Sequence, residues 1–203
     1  MNKGLKENTT QLTLNVGSLT SYINLSNIDS NLIFNIPLLS TLGLNSFELS
    51  LIFNYQNKNV ISIFGKALKL NYYSKITVND DLIKLENADG FTYEFLKTSE
   101  TVFSNLELNS KILVLENNAY KLCDKYGNYK LYNETNLEYP YLIKLVSGLE
   151  LHLDFVSDIK TISNSKGDIV KFHLTNNLVD SIIYEKNEEI LYLLRVEYTE
   201  KWN

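Results

Sequence analysis

Hydrophobic and polar residues alternate one by one along much of this chain, the pattern of strands with one face buried. Leu149, Leu151, Leu153 and Phe155 fall on one face, and Glu150, His152 and Asp154 on the other. The same reading predicts strands over 12–16, 32–36, 47–55, 68–76, 82–86, 91–95, 111–115 and 120–122. It continues through 129–132, 149–155, 159–162, 169–174, 178–184 and 191–198. Val, Ile, Thr, Tyr and Phe dominate these runs, as a pleated, half-buried surface favours. No stretch carries a capped three-four periodicity; 40–44 is expected to make one helical turn at most.

Between the strands lie turn signals at 57–59, 79–81, 88–90, 126–128 and 165–168, rich in the Gly and Asn that tolerate positive φ. Three of these form a weak internal repeat, a glycine turn followed by a strand that ends on an aromatic. It reads Asp89-Gly90 to Phe95, Tyr126-Gly127 to Tyr132 and Lys166-Gly167 to Phe172. The expected fold is all-β, an antiparallel meander of hairpins forming a curved or wrapped sheet, with a β-sandwich as the alternative. One domain is expected over 11–198, with a possible subdivision near 97–110, a polar segment 1–10 before it and a tail 199–203 after it.

Composition narrows the function. The chain has 203 residues, of which 44% are hydrophobic and 21% charged, values that exclude a disordered chain, a collagen and a coiled coil. Its net charge of −5 and scattered lysines offer no basic patch, so no nucleic-acid partner is expected. A single arginine, Arg195, beside 18 lysines and 26 asparagines matches an AT-rich bacterial genome. Cys123 alone excludes an intrachain disulfide and a cysteine zinc site. No apolar run approaches the roughly 18 residues of a membrane span, and the polar start has no Sec-type signal core.

Several segments together resemble the N-terminal region of Rhs/YD-repeat proteins. The run 167–172 followed by 177–184 (Asn-Leu-Val-Asp-Ser-Ile-Ile-Tyr) is similar to the Gly turn, strand and "Leu-x-x-Ile-x-Tyr" strand of that repeat. The run 49–55 (Leu-Ser-Leu-Ile-Phe-Asn-Tyr) resembles the family's opening "Leu-x-Leu-x-Tyr-Asn-Ser" strand. The run 63–72 resembles its "Phe-Gly-x-Gly-Trp-x-x-x-Tyr" element, with Ala67 and Leu68 where the family has Gly and Trp. The replacement of that glycine weighs against a tight turn at Ala67. The resemblance implies a stretch of hollow shell, wound from β-hairpins around a toxin or effector segment, at the cell surface or in a secretion system. The family's self-cleaving segment and toxin tail have no counterpart in these residues.

Candidate chemistry is sparse. His152 shares a strand face with Glu150 and Asp154, a set able to bind a metal or move a proton, and strand pairing would add His173. A solvated strand face alternates in the same way, so no catalytic, metal or cofactor role is assigned, and no enzyme is expected. No P-loop, dinucleotide fingerprint or Gly-x-Ser-x-Gly elbow occurs. Tyr72, Tyr73, Tyr139 and Tyr141 are the candidate ligand-stacking residues, either as platforms for sugar rings or as cross-strand packing. Two functions follow as expectations: a structural module that encloses or displays a partner segment and self-associates or binds protein through strand edges, and a carbohydrate or cell-surface binding module.

Overall fold

The computed structural model describes residues 10–16, 19–25, 33–40, 47–54, 60–116 and 119–196. The fold is an all-β antiparallel meander. A hairpin of β1 (Thr10–Val16) and β2 (Leu19–Leu25) comes first. A three-stranded sheet follows, from β3 (Ile33–Ser40), β4 (Glu48–Asn54) and β7 (Leu68–Leu70), with the small hairpin of β5 (Ile61–Ser62) and β6 (Gly65–Lys66) inserted.

The remainder is one 13-stranded sheet in strict chain order, not closed into a barrel. Its first half comprises β8 (Ser74–Asn79), β9 (Leu82–Asn87), β10 (Thr92–Ser99), β11 (Val102–Asn105), β12 (Ser110–Val114), β13 (Tyr120–Cys123) and β14 (Tyr129–Tyr132). Its second half comprises β15 (Leu142–Lys144), β16 (Glu150–Asp154), β17 (Lys160–Asn164), β18 (Asp168–Thr175), β19 (Leu178–Lys186) and β20 (Glu189–Arg195). Every neighbour is the next strand in sequence, so only hairpin connections are needed.

Period-two alternation puts one residue in two on the inner face, and directly opposed pairs build two cores. In the first half Ile76 opposes Leu85, Phe95 opposes Ile83 and Phe103 opposes Ile112, and these join Tyr132 in one buried cluster. In the second half Leu153, Ile162, Val170 and Tyr184 line up across four strands. They share a core with Leu38, Leu49 and Leu70 of the small sheet and with Phe47 and Phe64 beside it. Each such side chain contributes about 1.5–3 kcal/mol when fully buried.

The long sheet curls until the β14–β15 loop meets its own first strand. Ser74 N–H donates to the Glu138 carbonyl (3.1 Å) and Ile76 N–H to the Leu137 carbonyl (2.7 Å), with Lys75 ion-paired to Glu138 (3.2 Å). The β8 edge is thereby partly occupied by a loop.

Two turns share one plan that the glycine repeat anticipated. Asp124 Oδ1 accepts from the N–H groups of Tyr126 and Asn128, and Asn128 Nδ2 returns a bond to Asp124 Oδ2 (2.7 Å). Asn164 Oδ1 likewise accepts from Lys166 and Asp168, and Asn164 Nδ2 donates to Asp168 Oδ2 (2.8 Å). The two turns are the same Asx-type device with Asp and Asn exchanged. Gly127 and Gly167 take the left-handed position, at φ 93° and 81°.

The sequence reading needs three amendments. The expected strand 68–76 is two strands, because Asn71 turns the chain from one sheet to the other. Its side chain donates to the Glu48 carbonyl and accepts from Ser50 N–H, and Tyr73 N–H bonds back to the Leu70 carbonyl. Five strands went unread: β5, β6, β11 and β15 hold two to four residues, too few to show alternation, and the seven-residue β2 mixes Thr, Ser, Tyr and Asn among its apolar positions. Ala67 does sit in a tight turn, at φ 61°, despite its Cβ. The expected turn at 57–59, the helical turn beyond Ser40 and the segments 1–9 and 197–203 lie outside the described residues.

Candidate functional site

The β14–β15 loop, 133–141, is shaped by two asparagines. Asn133 Oδ1 accepts from Thr135 Oγ1 (2.8 Å) and Asn136 N–H (3.0 Å). Asn136 Oδ1 accepts from Glu138 N–H (2.9 Å) and Tyr139 N–H (3.1 Å). This folding directs Tyr139 against Phe155, their rings stacked 4.1 Å apart and 9° from parallel, with Tyr73 edge-on at 5.5 Å.

A cleft opens on each side of that stack. One, about 330 Å³, is lined by Asn133, Asn136, Tyr141, Leu153, Asp154 and Val156 as well as the stacked pair. The other, about 270 Å³, lies towards Val60, Ile61, Lys69, Tyr73 and Lys160. Both share Asn136, Tyr139 and Phe155.

Three of the four candidate tyrosines meet here. Tyr73 and Tyr139 are buried, their ring faces occupied by Lys69, Phe155 and one another. Burial, with nearby Glu86 and Glu138 for Tyr73 and Glu138 for Tyr139, pushes both phenols far up. Tyr141 is 39% exposed at the rim of the larger cleft. Tyr72 stands apart, donating to the Glu48 carbonyl (2.8 Å), and burial above all pushes its phenol up to about 12.

The histidines do not assemble. His152 Nε2 lies 3.1 Å from Glu150 Oε1 on an exposed face, where Glu150 also pairs with Lys144 at 3.0 Å. Asp154 turns away to accept from Val156 and Ser157. Register aligns His152 with Ile169 through Ser163, so His173 sits four residues further along β18. Among the described residues no group of three or more His, Cys, Asp or Glu is placed to hold a metal ion.

One polar cluster was not foreseen. Ser74, Tyr132 and Lys130 meet inside the first half of the sheet, Lys130 Nζ donating to Ser74 Oγ at 3.2 Å. Serine beside lysine and tyrosine is a nucleophile's company, yet Ser74 and Tyr132 have no exposed surface. The cluster ties the first strand of the long sheet to the seventh. Ser74 lies 56 and 58 residues from Lys130 and Tyr132 in sequence, so no local spacing announces the cluster. The cleft loop had a usable signal in Asn133 and Asn136, three apart and followed by Pro140. In sequence the chain matches no family model and no curated protein.

Proposed function

We propose that this protein is a non-enzymatic structural module, a stretch of β-shell resembling the Rhs/YD-repeat kind, which encloses or displays a partner segment. The observation that carries the reading is the sheet itself. Thirteen strands run in chain order through hairpins alone, curled at one end onto their own loop and ending at the other on a strand with no outer neighbour among the described residues. Such an array is extended by adding hairpins, each burying its inner face on the one before. Ala67 at φ 61° adds support, because the resembling element carries glycine at that position. Fusing a second β18–β19 hairpin after Asn203 tests it. The added amides are expected to gain hydrogen-exchange protection and the unfolding midpoint to rise. An unprotected appendage with an unchanged midpoint would overturn the reading.

A second reading, recognition of a carbohydrate or cell-surface ligand, is favoured by one observation. Tyr141 presents an exposed ring at a cleft walled by the Asn133 and Asn136 side chains. It expects Tyr141→Ala to abolish retention on a glycan array without lowering stability, and no retention by the native chain would remove it.

A further inference from the structure

The larger cleft beside the Tyr139–Phe155 stack carries polar groups that the fold leaves without partners. Asn133 and Asn136 both line it, and each turns Oδ1 to the loop, where it accepts from two donors. Those bonds fix which end of each amide is nitrogen, and neither Nδ2 has a partner among the described residues. Asp154 lines the same cleft. Ser157, through Oγ and N–H, and Val156 N–H hold its carboxyl below the ordinary carboxylate range, so it is ionised at neutral pH. Of about four acceptor sites on a carboxylate, three are taken and one is open. Tyr141 stands at the rim, 39% exposed, and its ring makes no aromatic or cation contact among the described residues.

This inventory selects the chemistry of the ligand. Two amide NH2 groups call for acceptors, one carboxylate site calls for a donor, and an open ring calls for an apolar face. A pyranose offers all three, because its hydroxyls both accept and donate and one face of its ring is lined by C–H groups. Charge narrows the class. Among the described residues Asp154 is the one charged residue that lines this cleft. Lys160 lines the other cleft, and its ammonium is held by the Val156 and Ser157 carbonyls. A sugar carboxylate would therefore meet Asp154 with no cation to offset it, which costs affinity. At about 330 Å³ the cleft lies near the lower end of the roughly 300–1,000 Å³ of small-molecule sites, room for one ring and not for a chain. We propose that it binds an uncharged pyranose, the terminal residue of a neutral glycan. The ring face lies on Tyr141, hydroxyl oxygens accept from Asn133 Nδ2 and Asn136 Nδ2, and one hydroxyl donates to Asp154.

This inference rests on the carbohydrate reading above and deepens it, naming the class of sugar and the two asparagines that select it. The test is saturation-transfer NMR on the full chain with methyl glycosides as probes. Those of glucose, galactose, mannose and N-acetylglucosamine are compared with those of glucuronic and sialic acid. Transfer to at least one neutral glycoside and to neither acidic one is expected. Asn133→Asp and Asn136→Asp each keep the oxygen that the loop donors need and exchange only the NH2. Each should leave the thermal midpoint unchanged and weaken binding about 10-fold. A purely loop-shaping role would leave binding untouched in both. Acidic glycosides bound as well as neutral ones, or Asp variants that bind like the native chain, overturn the inference. The carbohydrate reading then stands if Tyr141→Ala abolishes the transfer. No transfer to any glycoside overturns both.

Discussion

Ser74 and Tyr132, 58 residues apart, share a hydrogen bond between their hydroxyls inside the first half of the long sheet. It joins the first strand of that sheet to the seventh, so it records how far the sheet has curled. Neither residue has exposed surface, and each hydroxyl has lost its water. Tyr132→Phe removes one of the two partners of the Ser74 hydroxyl and should cost about 1–3 kcal/mol in urea unfolding. Ser74→Ala should cost a similar amount, and the double variant less than the sum, because the two act as one unit. Strictly additive losses would show that the hydroxyls do not depend on one another.

Lys130 brings an ammonium to this cluster with Ser74 Oγ as its hydrogen-bond partner, and burial pushes its pKa down to about 8. A folded value below the unfolded one, about 10.4, means that protonation favours the unfolded chain. Stability should therefore rise as pH climbs above 8, while the penalty is fully present at lower pH. Lys130→Met should stabilise the protein at pH 7 by roughly 1–3 kcal/mol and remove the rise expected between about pH 8 and pH 10.4. A variant less stable than the native chain at pH 7 would contradict this.

Asp168 is the opposite case. Burial draws its carboxyl up, but Tyr184 (2.7 Å), Asn164 (2.8 Å) and Lys186 (3.1 Å) all donate to the carboxylate and hold it below the ordinary range. A depressed folded pKa gives stability that is present above the unfolded value of about 3.9 and lost as pH falls below it. Asp168→Asn should therefore cost stability at pH 7, on the order of 2 kcal/mol, and much less at pH 2. Equal losses at both pH values would mean that charge contributes nothing there.

The paired glycine turns should differ in sensitivity. A Cβ at Gly167 would overlap Asn187 Oδ1, whereas one at Gly127 meets Val146 Cγ1 at 3.3 Å. Both sit at positive φ, so both alanine variants lose about 1 kcal/mol to backbone strain. Gly167→Ala should lose more, because Asn187 must also move and its N–H is bonded to the Gly167 carbonyl. Thermal midpoints in the order native, Gly127→Ala, Gly167→Ala are expected, and the reverse order of the variants would refute the account.

Glu188 occupies a left-handed position, φ 71°, beside Asn187 at 50° in a two-residue hairpin. Asn-Gly is the preferred pair for such a turn. Glu188→Gly should raise stability by up to about 1 kcal/mol, strain relief outweighing glycine's greater chain entropy. A lower denaturation midpoint would reject it.

The all-β meander was legible because one-by-one alternation needs no distant information. Leu151, Leu153, Ile162, Val170 and Phe172 show by sequence alone that they point inward, and Gly127 and Gly167 show where the chain reverses. The strand expected over 68–76 failed because its apolar alternation is the same on both sides of Asn71. Only the hydrogen bonds from Asn71 to Glu48 and Ser50 decide that two sheets meet there. The four tyrosines were visible as residues, but their ring faces were not. Whether an aromatic stands free or stacks on Phe155 depends on where a loop returns, and Tyr141 and Tyr139, two apart, received different outcomes. Sequence determined the strand period and the turns, which are local properties of neighbouring residues. Curl, the Ser74–Tyr132 contact, the twin clefts and the open edge at β20 follow from accumulated strand twist and pairing over the whole sheet, and only the tertiary structure decided them.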